Sequence, residues 1–204
     1  MGAVYLVEHM SLHRQLALKI LTPELVNEQN WQRFKAEAKI LASLSHPTLV
    51  KVYDLGIHAQ TIPFYSMDYL EGRSIEEILA DDGPIDLETT IDIMLEVLDG
   101  LAYAHRNGIV HRDLKPGNIM YCTIDGAKAV KVLDFGISKL IDNRGTSQAM
   151  TVAGDIFGSP FYMSPEQSRG DRVDARSDIY SIGCTLFEML TGFVPYENKS
   201  SIEI

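Results

Sequence analysis

Asp113 and Asn118 stand five positions apart in His111-Arg112-Asp113-Leu114-Lys115-Pro116-Gly117-Asn118, and Asp134-Phe135-Gly136 follows after a short gap. These residue types at this spacing suit one kind of chemistry. A carboxylate such as Asp113 can accept the proton of an attacking hydroxyl. Asn118 and Asp134 offer the hard oxygen ligands that Mg²⁺ takes. Holding a hydroxyl, metal ions and a triphosphate in line is what phosphoryl transfer needs, because that reaction asks a protein for positioning and charge stabilisation.

A cation has to face the phosphates as well. Lys19 lies in Ala17-Leu18-Lys19-Ile20, on a predicted strand among apolar neighbours. An unpaired buried charge costs on the order of 3–5 kcal/mol, so Lys19 requires an acidic partner.

The elements that must position these groups can be read from periodicity. Val4 to Glu8 and Gln15 to Leu21 alternate as two strands of a hairpin. Asn27 to Leu44 reads as a helix with Phe34, Ile40, Leu41 and Leu44 on one face and Asn30 as N-cap. Leu49 to Leu55 and Phe64 to Met67 read as strands, and Asp68 to Gly72 as a polar hinge. Ser74-Ile75-Glu76-Glu77 is a capping box opening a short helix. Asp86 caps a long helix to Asn107, with Leu87, Ile91, Met94, Leu95, Leu98, Leu101 and Ala102 as its apolar face and Gly108 as its stop. Ile119 to Cys122 and Val130 to Leu133 form a hairpin around Asp125-Gly126. Residues 137–160 read as a long functional loop. Asp178 to Thr191 is a helix closed by Gly192. The order predicts an α+β fold of two lobes with a cleft between them, residues 1–67, a hinge at 68–72, and residues 73–204.

The chain has 204 residues, 46% of them hydrophobic, enough for a sizeable core. No run of eighteen apolar residues occurs, so no membrane span is expected. No basic stretch precedes an apolar one at the N-terminus, so no signal peptide is expected. Leu6 stands where an N-myristoylation signal needs Ser or Thr. Cys122 and Cys184 make no disulfide framework and read as small buried hydrophobes of a reducing compartment. A formal net charge of −10 disfavours a nucleic-acid surface.

The eight-residue stretch from His111 resembles the catalytic loop of eukaryotic-type (Hanks-type) protein kinases, and Asp134-Phe135-Gly136 resembles their metal-binding turn. The resemblance covers the whole chain. It implies a two-lobed fold, ATP and Mg²⁺ in the cleft, and a protein substrate. Lys19 matches the lysine of the family's VAIK motif, and Glu37 its partner on the αC helix. Gly2-Ala3-Val4 is similar to the end of the Gly-rich loop, whose close backbone approach to phosphates needs glycine. Val4 and Ala17 would cover the adenine from above and Met120 from below. Met67 would guard the back of the pocket, and Asp68 and Leu70 would offer backbone groups to the adenine edge.

Lys115 resembles the lysine that marks the Ser/Thr branch. Gly158-Ser159-Pro160-Phe161-Tyr162-Met163-Ser164-Pro165-Glu166 resembles the branch's substrate-facing segment, which small-molecule phosphotransferases lack. Arg112 implies control by phosphorylation of the preceding loop, with Thr151 as the best-placed acceptor and Thr146 and Ser147 behind it. Asp178 resembles the aspartate that anchors the catalytic loop. Val173 to Cys184 looks most like bacterial Ser/Thr kinases of the transmembrane, sensor-linked type, which implies a cytoplasmic domain, alone or as the cytoplasmic part of a membrane-bound parent. A nucleotide-binding but inactive pseudokinase scaffold is the alternative, separated by ADP production.

Against the family the first two glycines of the loop and the strand before them are absent, and Met1 falls at an internal Met of bacterial members. The family's last helices, with the arginine that pairs Glu166, are also absent. The expectation is a chain cut at both ends and poorly soluble alone, with Val4–Glu8 as an exposed sheet edge and the αF surface uncovered around Ile182, Leu186 and Met189.

Overall fold

A computed structural model of the chain describes residues 2–59, 61–135 and 160–196. Thr146, Ser147, Thr151, Gly136 and the expected loop up to Ser159 lie outside the described residues.

Two antiparallel sheets organise the structure. The first has the order β1-β2-β4-β3, built from β1 (Ala3–His9), β2 (Arg14–Ile20), β3 (Val52–His58) and β4 (Ile62–Asp68). β1 lies at its edge with Val4, Tyr5 and Leu6 exposed. Helix α1 (Glu28–Ser43) packs against this sheet through Phe34, Ala38 and Leu41. Its N-cap is Asn27, whose side chain accepts the Asn30 N–H at 2.8 Å. Asn30 had been expected to cap; it is instead the capped residue, since an N-cap accepts from the third residue of the helix it opens.

β3 starts at Val52, later than the expected Leu49. Residues 48–50 pair elsewhere: Val50 N–H donates to the Val132 carbonyl at 3.3 Å, and Val132 N–H to the Thr48 carbonyl at 2.8 Å. That segment therefore joins the first sheet to the second, which has the order β5-β6-β7 from β5 (Gly72–Ser74), β6 (Ile119–Ile124) and β7 (Ala127–Val132). Asp125 and Gly126, at φ 50° and 82°, make the tight turn between β6 and β7. Gly72, expected to end a hinge, opens β5 instead. A Cβ there would lie 2.4 Å from the Tyr121 carbonyl oxygen and 2.5 Å from the Cys122 Cα, so only glycine admits this pairing.

Ser74 and Glu77 form the expected capping box of α2 (Ile75–Asp82). Asp86 caps α3 (Leu87–Arg106). Of the expected apolar face of α3, Met94 and Leu101 are buried and the rest is not. The buried face carries Thr90, Ile93, Met94, Val97, Gly100, Leu101 and Ala104, while Leu87, Ile91, Leu95 and Leu98 are exposed. A short helix α4 (Pro165–Ser168) precedes α5 (Ala175–Thr191), which Asp174 caps and which starts three residues ahead of the expected Asp178. On α5, Ile182 and Met189 are buried and Leu186 is packed against the core. These are not the uncovered residues; Ile179, Phe187 and Leu190 are exposed instead. α5 follows its own 3.6-residue stripe, and that stripe faces α3.

One core runs from Leu21, Phe34 and Tyr65 through Val50, Leu114 and Phe135 to Ile182 and Met189. Among the described residues no helix is long and apolar enough to cross a membrane.

Candidate active site

Strand register assembles the roof. Val4 pairs with Lys19, Leu6 with Ala17, Ala17 with Met67 and Lys19 with Tyr65. Side chains at directly opposed positions share a face, so Val4, Ala17, Lys19 and Met67 lie on one side of the sheet. Ala17 and Met67 are buried, while Val4 is exposed. Gly2 sits where β1 meets the end of β2: a Cβ on it would come within 1.7 Å of the Ile20 carbonyl oxygen. Leu70 is half-buried between β4 and β5, and Met120 half-buried on β6 opposite Lys131. The amide N–H of Asp68 donates to the Lys51 carbonyl at 3.0 Å, so of its two backbone groups the carbonyl is the one it can offer a ligand.

Lys19 is buried and doubly paired. Its Nζ donates to Glu37 Oε1 at 2.8 Å and to Asp134 Oδ1 at 2.9 Å. Burial alone would lower its pKa, but the Asp134 and Glu37 carboxylates outweigh that and hold the ammonium above its ordinary value. Tyr65 O–H donates to the same Glu37 oxygen at 2.7 Å, and its own pKa is pushed up by burial and by the Glu37 charge. Three elements, β2, α1 and the turn after β7, thus meet at one cation.

The loop from His111 to Asn118 is held from within and from behind. Asn118 Nδ2 donates to the Asp113 carbonyl at 2.7 Å and to Asp113 Oδ2 at 3.2 Å. Lys115 Nζ lies 4.0 Å from the same Oδ2. From behind, the fully buried Asp178 accepts the backbone N–H of His111 and of Arg112, each at 2.8 Å, and His105 Nε2 at 2.6 Å. Gln167 Nε2 donates to the Arg112 carbonyl at 2.8 Å. These bonds fix Arg112 at φ 69°, and Asp134 sits at φ 39°. Left-handed backbone at non-glycine residues costs of order 1–3 kcal/mol each and clusters at functional sites. Burial lowers the Arg112 pKa, with Asp178 opposing.

Arg112, Asp113, Lys115, Tyr162 and Met163 line a recess in front of the loop. Tyr162 O–H donates to Glu188, and Glu166 accepts the Ser177 hydroxyl, which holds its carboxyl below the usual range. Tyr65, His105, Gln167 and Ser177 were not foreseen from the sequence. Tyr65 had one available signal, its register opposite Lys19; the other three are visible only once distant segments meet.

The donor set fits a hard cation. With both Asn118 amide hydrogens turned to Asp113, its Oδ1 is the atom left for a metal. Among the described residues no cluster of three His, Cys, Asp or Glu could hold an ion alone. Two protein oxygens, with phosphate and water completing the sphere, is the usual manner of Mg²⁺.

Comparisons with known proteins bear on the family of the chain. The protein kinase domain family matches residues 1–204. Serine/threonine-protein kinase PknB of Mycobacterium tuberculosis (strain H37Rv) is 41% identical over the whole chain, and PrkC of Bacillus subtilis (strain 168) 40%. The chain spans 32% and 30% of those proteins' lengths. The crystal structure of the Mycobacterium tuberculosis PknI kinase domain superimposes with a TM-score of 0.74 at 29% identity, covering all of this chain and 72% of that one. The chain belongs to the protein kinase domain family.

Proposed function

We propose that this domain transfers the γ-phosphate of ATP to serine or threonine hydroxyls of protein substrates in signal transduction. The observation that carries the reading is the chain of contacts Glu37–Lys19–Asp134, at 2.8 and 2.9 Å, which brings a buried cation up to a carboxylate on the opposite side of the cleft. Lys19 would bind the α- and β-phosphates, and Glu37 would keep it aimed. Gly2, Val4, Ala17, Met67, Leu70 and Met120 would form the nucleotide pocket with the Asp68 carbonyl. Asn118 and Asp134 would hold Mg²⁺, which when bound neutralises charge on the phosphates. Asp113 would orient a hydroxyl and take its proton, and Lys115, close by, would steady the transferring phosphoryl. Residues 1–67 would act as the small lobe and 73–204 as the large lobe, with the expected hinge at 68–72 shortened to Tyr69–Glu71 because Asp68 closes β4 and Gly72 opens β5. With ATP as the donor, the reaction would take place in the cytoplasm.

The test is incubation of the chain with γ-labelled ATP, Mg²⁺ and a generic basic protein substrate. Label on serine or threonine is expected. Asp113→Asn should abolish it while ADP binding stays within a few fold, because Asp113 faces the hydroxyl. Asp134→Ala should remove the Mg²⁺-dependent part of the nucleotide-induced thermal shift. Nucleotide binding with no ADP formation by the wild-type chain would favour an inactive scaffold instead.

A further inference from the structure

Asp68 closes β4 immediately before Tyr69-Leu70-Glu71, the covalent link from the first sheet to the second. Its side chain stands on the face of the sheet opposite to that of Met67 and Ala17, and it is 16% exposed. It collects donors from both halves of the domain. Tyr53 O–H donates to Oδ1 at 2.6 Å and Arg14 Nη2 to Oδ1 at 3.3 Å, both from the first sheet. Lys51 N–H donates to Oδ2 at 3.0 Å. Lys131 Nζ, on β7 of the second sheet, lies 3.9 Å from Oδ2 and donates to the Leu49 carbonyl at 3.3 Å. The Arg14 guanidinium also covers the Tyr53 ring at 4.5 Å.

We infer that the Asp68 carboxylate is a positioning group, a strut that ties the connector to both sheets and sets the opening of the cleft between them. The inference rests on the ATP reading of that cleft. Its two arms are unequal. Arg14 is half exposed, at 51%, and a solvated pair contributes little. Lys131 is 11% exposed, so its arm is the one that water screens least. Lys131 pairs with Met120, the expected floor of the adenine site, and stands three residues before Asp134. Asp68 pairs with Leu16, next to Ala17 in the expected roof. One ion pair therefore links β4, the strand beside the one that carries Ala17 of the roof, to β7, the strand beside the one that carries Met120 of the floor. Releasing it should let the cleft open while leaving Lys19, Asp113 and Asn118 with their own partners. Nucleotide affinity should fall more than turnover.

Asp68→Asn keeps the shape and the acceptor for Lys51 and removes the charge. Lys131→Met keeps the buried stem and removes the cation. Each should raise the ADP dissociation constant and the KM for ATP by about three- to tenfold, the size expected of a partly buried pair, with kcat changing less. The double variant should be no worse than either single one, because both remove the same pair. Asp68→Glu should restore affinity. In nucleotide-free full chain, amides of residues 64–72 should exchange with deuterium faster in both single variants than in wild type. Unchanged ADP affinity and unchanged exchange in Lys131→Met would overturn the inference, as would additive losses in the double variant. If Asp68→Asn fails to fold, Lys131→Met carries the same test. If wild type binds no ADP, the ATP reading fails, and the exchange rates alone decide the strut.

Discussion

Asp178 Oδ1 accepts the backbone N–H of Arg112 at 2.8 Å from a helix that lies 66 residues further along the chain. The second oxygen takes the His111 amide and His105. This one carboxylate imposes the left-handed turn at Arg112 that presents Asp113 to the cleft.

Removing it should be costly. Asp178→Ala leaves two backbone N–H groups and one imidazole donor without their acceptor in a dry site, at about 1–3 kcal/mol each. Unfolding in urea should show a loss of roughly 3 kcal/mol or more, with Asp178→Asn in between. A loss under about 1 kcal/mol would mean that other contacts hold the loop.

Lys19 and Glu37 should behave as one unit. Lys19→Met removes the cation from both carboxylates and should lower transfer at saturating ATP by at least about 100-fold. Glu37→Gln keeps an acceptor for Tyr65 and for Lys19 and should cost less. The double variant should be little slower than Lys19→Met alone, since Glu37 acts through the lysine. Multiplied losses would show that Glu37 contributes independently of Lys19.

The loop from His111 to Asn118, Asp134 and Lys19 were legible in the sequence from residue types and spacing, and Glu37 through the family resemblance; the structure brings Lys19, Glu37 and Asp134 together. The framework was legible wherever one periodic stripe had one possible partner, as in β1, β2, β4 and α1. It was not legible on α3, which carries two apolar stripes. The more hydrophobic one, through Leu87, Ile91 and Leu95, faces outward. The buried one uses small residues at its contact: a Cβ on Gly100 would lie 2.2 Å from Thr48 Oγ1. Close approach of Thr48 and the segment after it to α3 decided the register, and hydrophobicity alone does not encode that. The same segment's pairing with Val132 shortened β3. The donors to Asp178 and the partners of Asp68 were illegible because each contact joins segments far apart in the chain.

Gly72 offers a direct check on the connector. Its neighbours are backbone atoms of Tyr121 and Cys122, which cannot rotate away. Gly72→Ala should therefore destabilise by about 1–3 kcal/mol through overpacking, whereas a flexible hinge glycine would gain slightly from the same change. A raised unfolding midpoint would show that β5 is not tightly paired with β6.

His111 should make the fold acid-sensitive near neutrality. Its ring is fully buried, stacked on Phe135 with centroids 4.5 Å apart. Nε2 donates to the Leu133 carbonyl at 2.8 Å, so Nδ1 is the acceptor for the Asp113 N–H at 3.3 Å, and the ring is neutral. Burial lowers its pKa against the opposing charges of Asp178, Asp113 and Asp134. The folded chain thus refuses a proton that the unfolded chain takes up near pH 6.5. Stability from this group is fully present above that pH. It falls as the pH drops, by up to about 1.4 kcal/mol per pH unit, until the lower folded pKa is reached. The carboxylates with lowered pKa values, such as Glu166 and Asp174, titrate at more acid pH and leave this window to histidine. Urea midpoints measured from about pH 7.5 to 5.5 should fall steeply in wild type and less in His111→Gln, which keeps a donor for Leu133 and cannot charge. Parallel curves for the two proteins would mean that the acid sensitivity comes from another group and that His111 is protonated in the fold at little cost.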